Sequence, residues 1–381
     1  MTNNKLVTLA LSLILFSTAA LAGPREQAKR MHDRLAGVPP SPTVLDDMAA
    51  LLPGSPMAAA DIAMSNPAFY SVTLKNFASP WTNRDRNVFA PLNDYTATVI
   101  GMIRDDVPFN QLLSADILYT ANGTPGVPAY SMNNNDHYAA LEDQGIDLQA
   151  ALQQTAQSAM TDLPSNATAG VVTTRAAAEA FFIAGTNRAM FRFTLLNHLC
   201  NDMEQVQDTT RSADRIRQDV SRSPGGDSRV FLNNCVGCHS GMDPMAQAYA
   251  YYTFDEDLGR IVYTDGVVHP KYFNNDANFE FGFVTPDDAW ENRWREGQNA
   301  LLGFDPGLPG SGNGAKSLGE ELANSDAFAQ CQVEKVFRNV CLRDPVDAAD
   351  RAQVATMVSS FQSNYLMKPV FAQSAAYCMG D

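Results

Sequence analysis

Apolar residues recur three or four positions apart along most of the chain, and this spacing predicts a mainly α-helical fold. Proline, glycine and asparagine interrupt the pattern often, so the predicted helices are short and amphipathic. The first covers Pro24 to Leu35 and is closed by Gly37, because proline suits the first helical turn and glycine the residue after a helix. The other predicted helices cover residues 94–104, 109–119, 147–160, 175–200, 209–221, 285–302, 325–341 and 346–365.

One stretch alternates with the period of a β-strand instead. Residues 260–269, RIVYTDGVVH, place apolar side chains on both sides of an Asp-Gly pair. Such a pair between alternating runs is a strong hairpin signal. The sequence therefore predicts a small β-hairpin that turns at Asp265 and Gly266.

A polar stretch at residues 161–170, TDLPSNATAG, is the best candidate for a linker. The chain without its first 22 residues is long enough for one large or two ordinary domains. We therefore expect a helical N-terminal domain of unknown role at residues 23–165. The second domain is expected at residues 166–381.

Residues 1–22 have the three parts of a secretory signal peptide. Lys5 supplies positive charge, an apolar run extends from Leu6 to Phe16, and Ala20-x-Ala22 is a cleavage site. The apolar run is shorter than the roughly 20 residues that span a bilayer. We expect a periplasmic or secreted protein that begins at Gly23, with an uncleaved membrane anchor as the alternative. No later stretch is apolar enough to predict stable membrane insertion.

The composition narrows the class of protein and of partner. Hydrophobic residues make up 45% of the chain, which is typical of a globular protein. The formal charge of −15 disfavours binding to nucleic acid and to anionic lipid, because like charges repel. A protein partner with a charged face is therefore expected to be basic.

Cys235-Val-Gly-Cys238-His239 is a C-x-x-C-H sequence, the motif of covalent c-type haem attachment. Its spacing lets two thiols reach the two vinyl groups of one porphyrin while the adjacent imidazole binds the iron. A zinc knuckle would need further ligands at short spacing, and a thioredoxin-like pair would need a βαβ context. Together with the signal peptide, the motif predicts one haem c, attached through Cys235 and Cys238 with His239 as the proximal iron ligand.

Three stretches around this motif share a wider pattern. They are Cys235-x-x-Cys238-His239-x-x-x-Asp243-Pro244, Phe254-Asp255-x-x-x-Gly259-Arg260 and Phe328-x-x-Cys331-x-x-x-x-Val336-Phe337-Arg338. Together they resemble the planctomycete-type single-haem c-type cytochrome proteins, over residues 210–345. The resemblance implies an exported c-type haem protein, usually without an assigned substrate. With the linker at 161–170, we expect residues 166–381 to form a cytochrome c-like helical haem domain that contains the small β-hairpin.

A distal ligand of the iron would bind on the face opposite His239. Met242 and Met245 follow His239 too closely to cross the porphyrin plane. The candidates are His269 and Met367, and the alternative for His269 is a surface histidine of the hairpin. The remaining histidines are expected elsewhere: His32 and His137 at the surface, and His198 packed on an apolar helix.

Four further cysteines allow two disulfides, which an oxidising compartment would favour; four free thiols are the alternative. Cys331 and Cys341 lie on one predicted helix. Their Cα atoms would be about 15 Å apart, whereas a disulfide needs roughly 4.4–6.8 Å. Of the two pairings that remain, we favour Cys331–Cys378 with Cys200–Cys341, because the next helix should return antiparallel.

Three functions remain open. A haem with two axial ligands would make the chain an electron-transfer cytochrome that acts with a redox partner protein. An open distal site would make it a haem enzyme or the redox subunit of an enzyme. In the third function, which is not redox, the haem stabilises the structure of a binding module or acts as its sensor. The long region before the haem motif keeps the second and third open, and whether the chain is an enzyme stays undecided. We favour electron transfer.

Overall fold

The computed structural model describes residues 22–182, 187–270 and 282–380, so the predicted signal peptide lies outside the described residues except for Ala22. The described part is mainly helical, as the apolar spacing predicts. Its α-helices are α1 (Pro24–Ala36), α2 (Pro42–Leu51), α3 (Pro56–Met64), α4 (Lys75–Ala78), α5 (Asp94–Arg104), α6 (Asp136–Asp143), α7 (Leu148–Ala151), α8 (Gln157–Met160), α9 (Arg175–Phe181), α10 (Arg188–His198), α11 (Ser228–Asn234), α12 (Val236–Ala246), α13 (Gly314–Ala323), α14 (Asp326–Cys341), α15 (Ala348–Gln362) and α16 (Met367–Cys378). None of the helices within the described ranges is long and apolar enough to cross a membrane.

The strands form three separate antiparallel pairs among the described residues. They are β1 (Leu118–Thr120) with β2 (Gln153–Thr155), β3 (Tyr252–Asp255) with β4 (Arg260–Tyr263), and β5 (Ala289–Glu291) with β6 (Ser311–Asn313). Each pair is short and lies between helices, so the strands connect the helical elements and do not form a layer of their own.

Capping residues in the local sequence set the ends of helices α1 and α14, which agree with the prediction. Helix α1 has Pro24 in its first turn and ends at Gly37, whose φ of +73° is the left-handed conformation that glycine adopts without strain. Helix α14 begins after Ser325, whose hydroxyl accepts a hydrogen bond from the backbone N–H of Phe328 at 3.1 Å. The α14 and α15 helices pack against each other, which confirms the last predicted helix pair.

Buried residues from both predicted domains belong to one hydrophobic cluster. The carboxylate of Asp94 at the start of α5 accepts hydrogen bonds from the backbone N–H groups of Arg175 (2.6 Å) and Ala176 (3.0 Å), where α9 begins. Tyr95 and His198 join α5 to α10 through a hydrogen bond of 2.6 Å. Residues on either side of position 165 are therefore packed together, and the boundary at residue 165 stays a prediction.

Three predicted helices are wrong over much of their length, and a fourth, 147–160, is interrupted by a strand between α7 and α8. Residues 109–119 and 147–160 contribute β1 and β2, which pair with each other. Residues 209–221 are irregular, and Phe283 exchanges backbone hydrogen bonds with Ile216 and Gln218 there. Residues 285–302 form β5 and two 3₁₀ segments, and Gly297 has a φ of +70° that an α-helix cannot include.

The small β-hairpin exists, but its predicted turn is wrong. Strand β4 pairs with the strand that precedes it, β3, so the hairpin turns between Asp255 and Arg260. Gly259 has a φ of +66°, and the side chain of Asp255 accepts a hydrogen bond from Leu258 N at 2.9 Å. Asp265 and Gly266 form a separate turn after β4, at which Val267 N donates to Thr264 O.

The four remaining cysteines form two pairs at disulfide distance, Cys200–Cys331 and Cys341–Cys378. Their Cα–Cα distances are 5.3 and 5.4 Å, and Cys331 and Cys341 do not pair, as the helix geometry requires. The favoured scheme is nevertheless wrong. Helix α15 does return along α14, but α16 then reverses the chain again and brings Cys378 beside Cys341.

Non-reducing peptide mapping should therefore recover Cys200–Cys331 and Cys341–Cys378 crosslinks. The first pair closes a separation of 131 residues and the second of 37. Replacing both cysteines of a pair by serine should lower the free energy of unfolding by about 5 kcal/mol for the first and about 4 kcal/mol for the second, measured by denaturant titration. A Cys331–Cys378 crosslink in the native protein would contradict this arrangement.

Candidate functional site

The three residues of the C-x-x-C-H motif lie together at the start of α12. Cys235 separates α11 from α12, and the N–H of His239 donates to the carbonyl of Cys235 at 3.1 Å. Positions three and four apart share one face of a helix, so Cys235, Cys238 and His239 are neighbours. Leu232, one turn earlier on α11, is 56% exposed and continues this face.

Cys235 and Cys238 are both free, in contrast to the other four cysteines. Both are half-buried, and the thiol of Cys238 lies 3.5 Å from the carbonyl oxygen of Met203. Burial, followed by the nearby carboxylate of Glu204, raises the pKa of the Cys238 thiol. This thiol is therefore protonated at neutral pH and available on a partly open surface.

The imidazole of His239 is held by Asp243, one helical turn further along α12. Nδ1 of His239 lies 3.1 Å from Oδ1 of Asp243, and the side chains are 19% and 0% exposed. Because an ionised carboxylate only accepts hydrogen bonds, Nδ1 carries the proton. In the neutral imidazole Nε2 then has the free lone pair, which is the form of imidazole that binds a metal.

Arg188 at the start of α10 holds Asp243 in turn. Its Nε and Nη2 donate to the two oxygens of Asp243, each at 2.7 Å, and its guanidinium also binds Asp219 at 2.6 and 2.9 Å. The backbone N–H of Arg217 adds a bond of 3.3 Å to Asp243. Burial opposes the ionisation of Asp243, but Arg188 and His239 hold its pKa well below the usual range.

The opposite side of α12 is closely packed. A Cβ at Gly241 would overlap the indole of Trp294, which is fully buried. The carbonyl of Gly237 accepts a hydrogen bond from Asp208 N at 2.8 Å, and the hydroxyl of Ser240 donates to Asp208 O at 2.9 Å. These contacts fix the helix, so the motif residues are presented from a rigid support.

The candidate distal ligands, Met367 and His269, lie on elements other than α12. Met367 begins α16 and is buried, and the main packing partners of α16 are α14, α3, α1 and α15. His269 is half-buried, and its backbone N–H donates a hydrogen bond to the carbonyl of Ala250 at 2.8 Å. Ala250 lies four residues beyond the end of α12. Met242 and Met245 are buried within α12.

The other histidines are structural. His198 is packed, as predicted, and bonds to Tyr95; burial lowers its pKa well below the usual value. The prediction that His32 and His137 are at the surface is wrong, since both are 1% exposed. His32 Nδ1 bonds to Val38 O at 2.8 Å, and His137 bonds to Ala121 N and to Pro128 O. Their hydrogen bonds compensate for the burial, a feature that local sequence does not display.

The donor set of this face fits a c-type haem. Two free thiols, three positions apart, adjoin an imidazole whose proton position leaves Nε2 available for iron. Leu232, exposed on α11 one turn before Cys235, supplies apolar surface beside them. Within the described ranges, no group of three or more His, Cys, Asp or Glu side chains is placed to hold a metal ion.

Comparison with protein-family models, with curated proteins and with solved structures found no match to this chain. The resemblance to single-haem cytochromes therefore stays a prediction that depends on the quoted residues.

The sequence alone identifies the C-x-x-C-H motif but not the residues that orient its histidine. Asp243 was part of the quoted pattern, and its position four residues after His239 on a helix is a readable signal for a contact. Arg188 and Asp219 carry no such signal, because they lie 55 and 24 positions before Asp243 and only the fold brings them together.

Gly241→Ala should lower the free energy of unfolding by about 1–3 kcal/mol, because the added methyl group overlaps a large indole that cannot move into solvent. The matched control is Gly237→Ala on the same helix, whose Cβ would meet Gln207 Cβ at 3.2 Å, a tight but tolerable distance. Denaturant titration measures both. Equal stability of the two variants would contradict the described packing of Trp294 on α12.

Proposed function

We propose that this chain is an exported single-haem c-type cytochrome that acts in electron transfer. The observation that carries the proposal is the C-x-x-C-H motif, whose two thiols are free and whose imidazole is oriented by a buried carboxylate. Cys235 and Cys238 would hold the haem covalently, and His239 would bind the iron. When bound, the haem supplies a centre that accepts and releases one electron.

Several features of the chain support export. The first 22 residues have the composition of a signal peptide, and two cysteine pairs lie at disulfide distance. Disulfides persist in oxidising compartments, which include the periplasm and the extracellular space. Covalent haem attachment outside the cytoplasm agrees with this location.

The proposed partner is a redox protein with a basic face. The formal charge of −15 on this chain favours binding to a basic partner surface and disfavours binding to nucleic acid. Within the proposal, residues 166–381 form the haem domain, and residues 23–165 have no assigned role. We expect no stable insertion of the chain into a membrane after the signal peptide is cleaved.

A haem enzyme or redox subunit with an open distal site is the second candidate. It is favoured by the placement of Met367 in the core, and of the His269 backbone near the far end of α12. Either residue could serve as the distal ligand only if its side chain reaches the haem from there. An open sixth position would let a small ligand bind the iron directly.

The haem should be covalently attached in protein that is exported by a host with haem-maturation machinery. It should stay with the polypeptide through denaturing electrophoresis and acid extraction, because two thioether bonds hold it. Cys235→Ser with Cys238→Ser should abolish the attachment, whereas Cys341→Ser with Cys378→Ser should keep it. Haem that extracts freely from the unaltered protein would refute the proposal.

The electron-transfer function predicts a six-coordinate ferrous haem that binds carbon monoxide slowly, since a distal ligand must first leave. Absorption spectra with and without carbon monoxide measure this. One of His269→Ala and Met367→Leu should change the spectrum and speed the binding; leucine conserves the volume of a buried methionine. Rapid binding by the unaltered protein would instead favour the second candidate.

A further inference from the structure

The carboxylate of Asp243 makes more hydrogen bonds than its contact with His239 on the same helix. It is completely buried, and each oxygen accepts a charged hydrogen bond of 2.7 Å from Arg188. A fork of this kind fixes the carboxylate in both position and plane. The remaining contact of Oδ1 is with Nδ1 of His239.

Two carboxylates share the guanidinium of Arg188. Arg188 carries one positive charge and binds two carboxylates, Asp243 and Asp219. The three groups together carry one net negative charge, and His239 is the imidazole that adjoins it. Negative charge beside Nδ1 draws the Nδ1 proton towards the carboxylate, which makes Nε2 a stronger electron donor.

We propose that Asp243 is a positioning residue that orients His239 and lowers the reduction potential of the iron. This inference rests on the proposed function, since it concerns the haem that His239 would bind. Arg188 keeps the Asp243 carboxylate ionised and in place, and Asp219 holds the Arg188 guanidinium from its other side. A stronger donor at Nε2 stabilises ferric iron relative to ferrous iron, so the midpoint potential falls.

A purely structural role makes a different prediction. In that case the cluster only joins α10 to α12, and losing either carboxylate would weaken the join without a specific effect on iron. Asp219 provides the matched control, because it binds the same guanidinium but does not contact His239. Asp243→Asn and Asp219→Asn are nearly isosteric with the original side chains.

Redox titration followed by absorption should show a higher midpoint potential in Asp243→Asn. We expect a tenfold or larger change in the ferric–ferrous equilibrium, which is about 59 mV or more for one electron. The shift in Asp219→Asn should be clearly smaller. Equal shifts in the two variants, or none in Asp243→Asn, would overturn the inference.

Resonance Raman spectroscopy of the unaltered protein gives a test that does not depend on the folding of a variant. The iron–histidine stretch, recorded in the ferrous state or directly after photolysis of its carbon monoxide adduct, should have the high frequency of a carboxylate-bonded imidazole. A frequency typical of an imidazole bonded to a neutral carbonyl would overturn the role of Asp243. Failure to attach haem at all would instead overturn the proposed function on which this inference rests.

Discussion

The candidate site depends on one buried ion pair, between Arg188 and Asp243. A carboxylate without exposure to water costs several kcal/mol unless a counter-charge and hydrogen bonds compensate it. Arg188 supplies both, and it holds Asp219 as well. Loss of the guanidinium would leave two carboxylates facing each other beside α12, and breaking such a pair typically costs 3–5 kcal/mol. The orientation of His239 follows from this pair, because Asp243 fixes the position of the Nδ1 proton.

The same pair connects distant parts of the sequence. Arg188 begins α10, whose last residue, His198, bonds to Tyr95 on α5. The capping of α9 by Asp94 joins the first part of the chain to the second in a similar way. The support of α12 therefore extends, through α10, to helices of the predicted N-terminal domain. Helices of that region thus contact the elements that pack against α12.

Local sequence determined the fold where one element decides its own structure, as in α1 with Pro24 and Gly37. It failed where backbone groups find partners far along the chain, as in residues 147–160, part of which pairs with β1. It placed Cys235, Cys238 and His239 correctly on one face because C-x-x-C-H spacing on a helix allows little else. The disulfide scheme required knowledge of α16, a third helix after α14, and Arg188 could be found only from the folded chain.

Every inference about this site requires that Cys235 and Cys238 carry one haem. Intact-mass spectrometry of the exported, purified protein under denaturing conditions tests it most directly, followed by peptide mapping of the product. We expect a chain heavier than its polypeptide by the mass of a single haem, with the added mass on the peptide that contains Cys235 and Cys238. A polypeptide of unmodified mass, obtained from cells that attach haem to a control cytochrome, would contradict it.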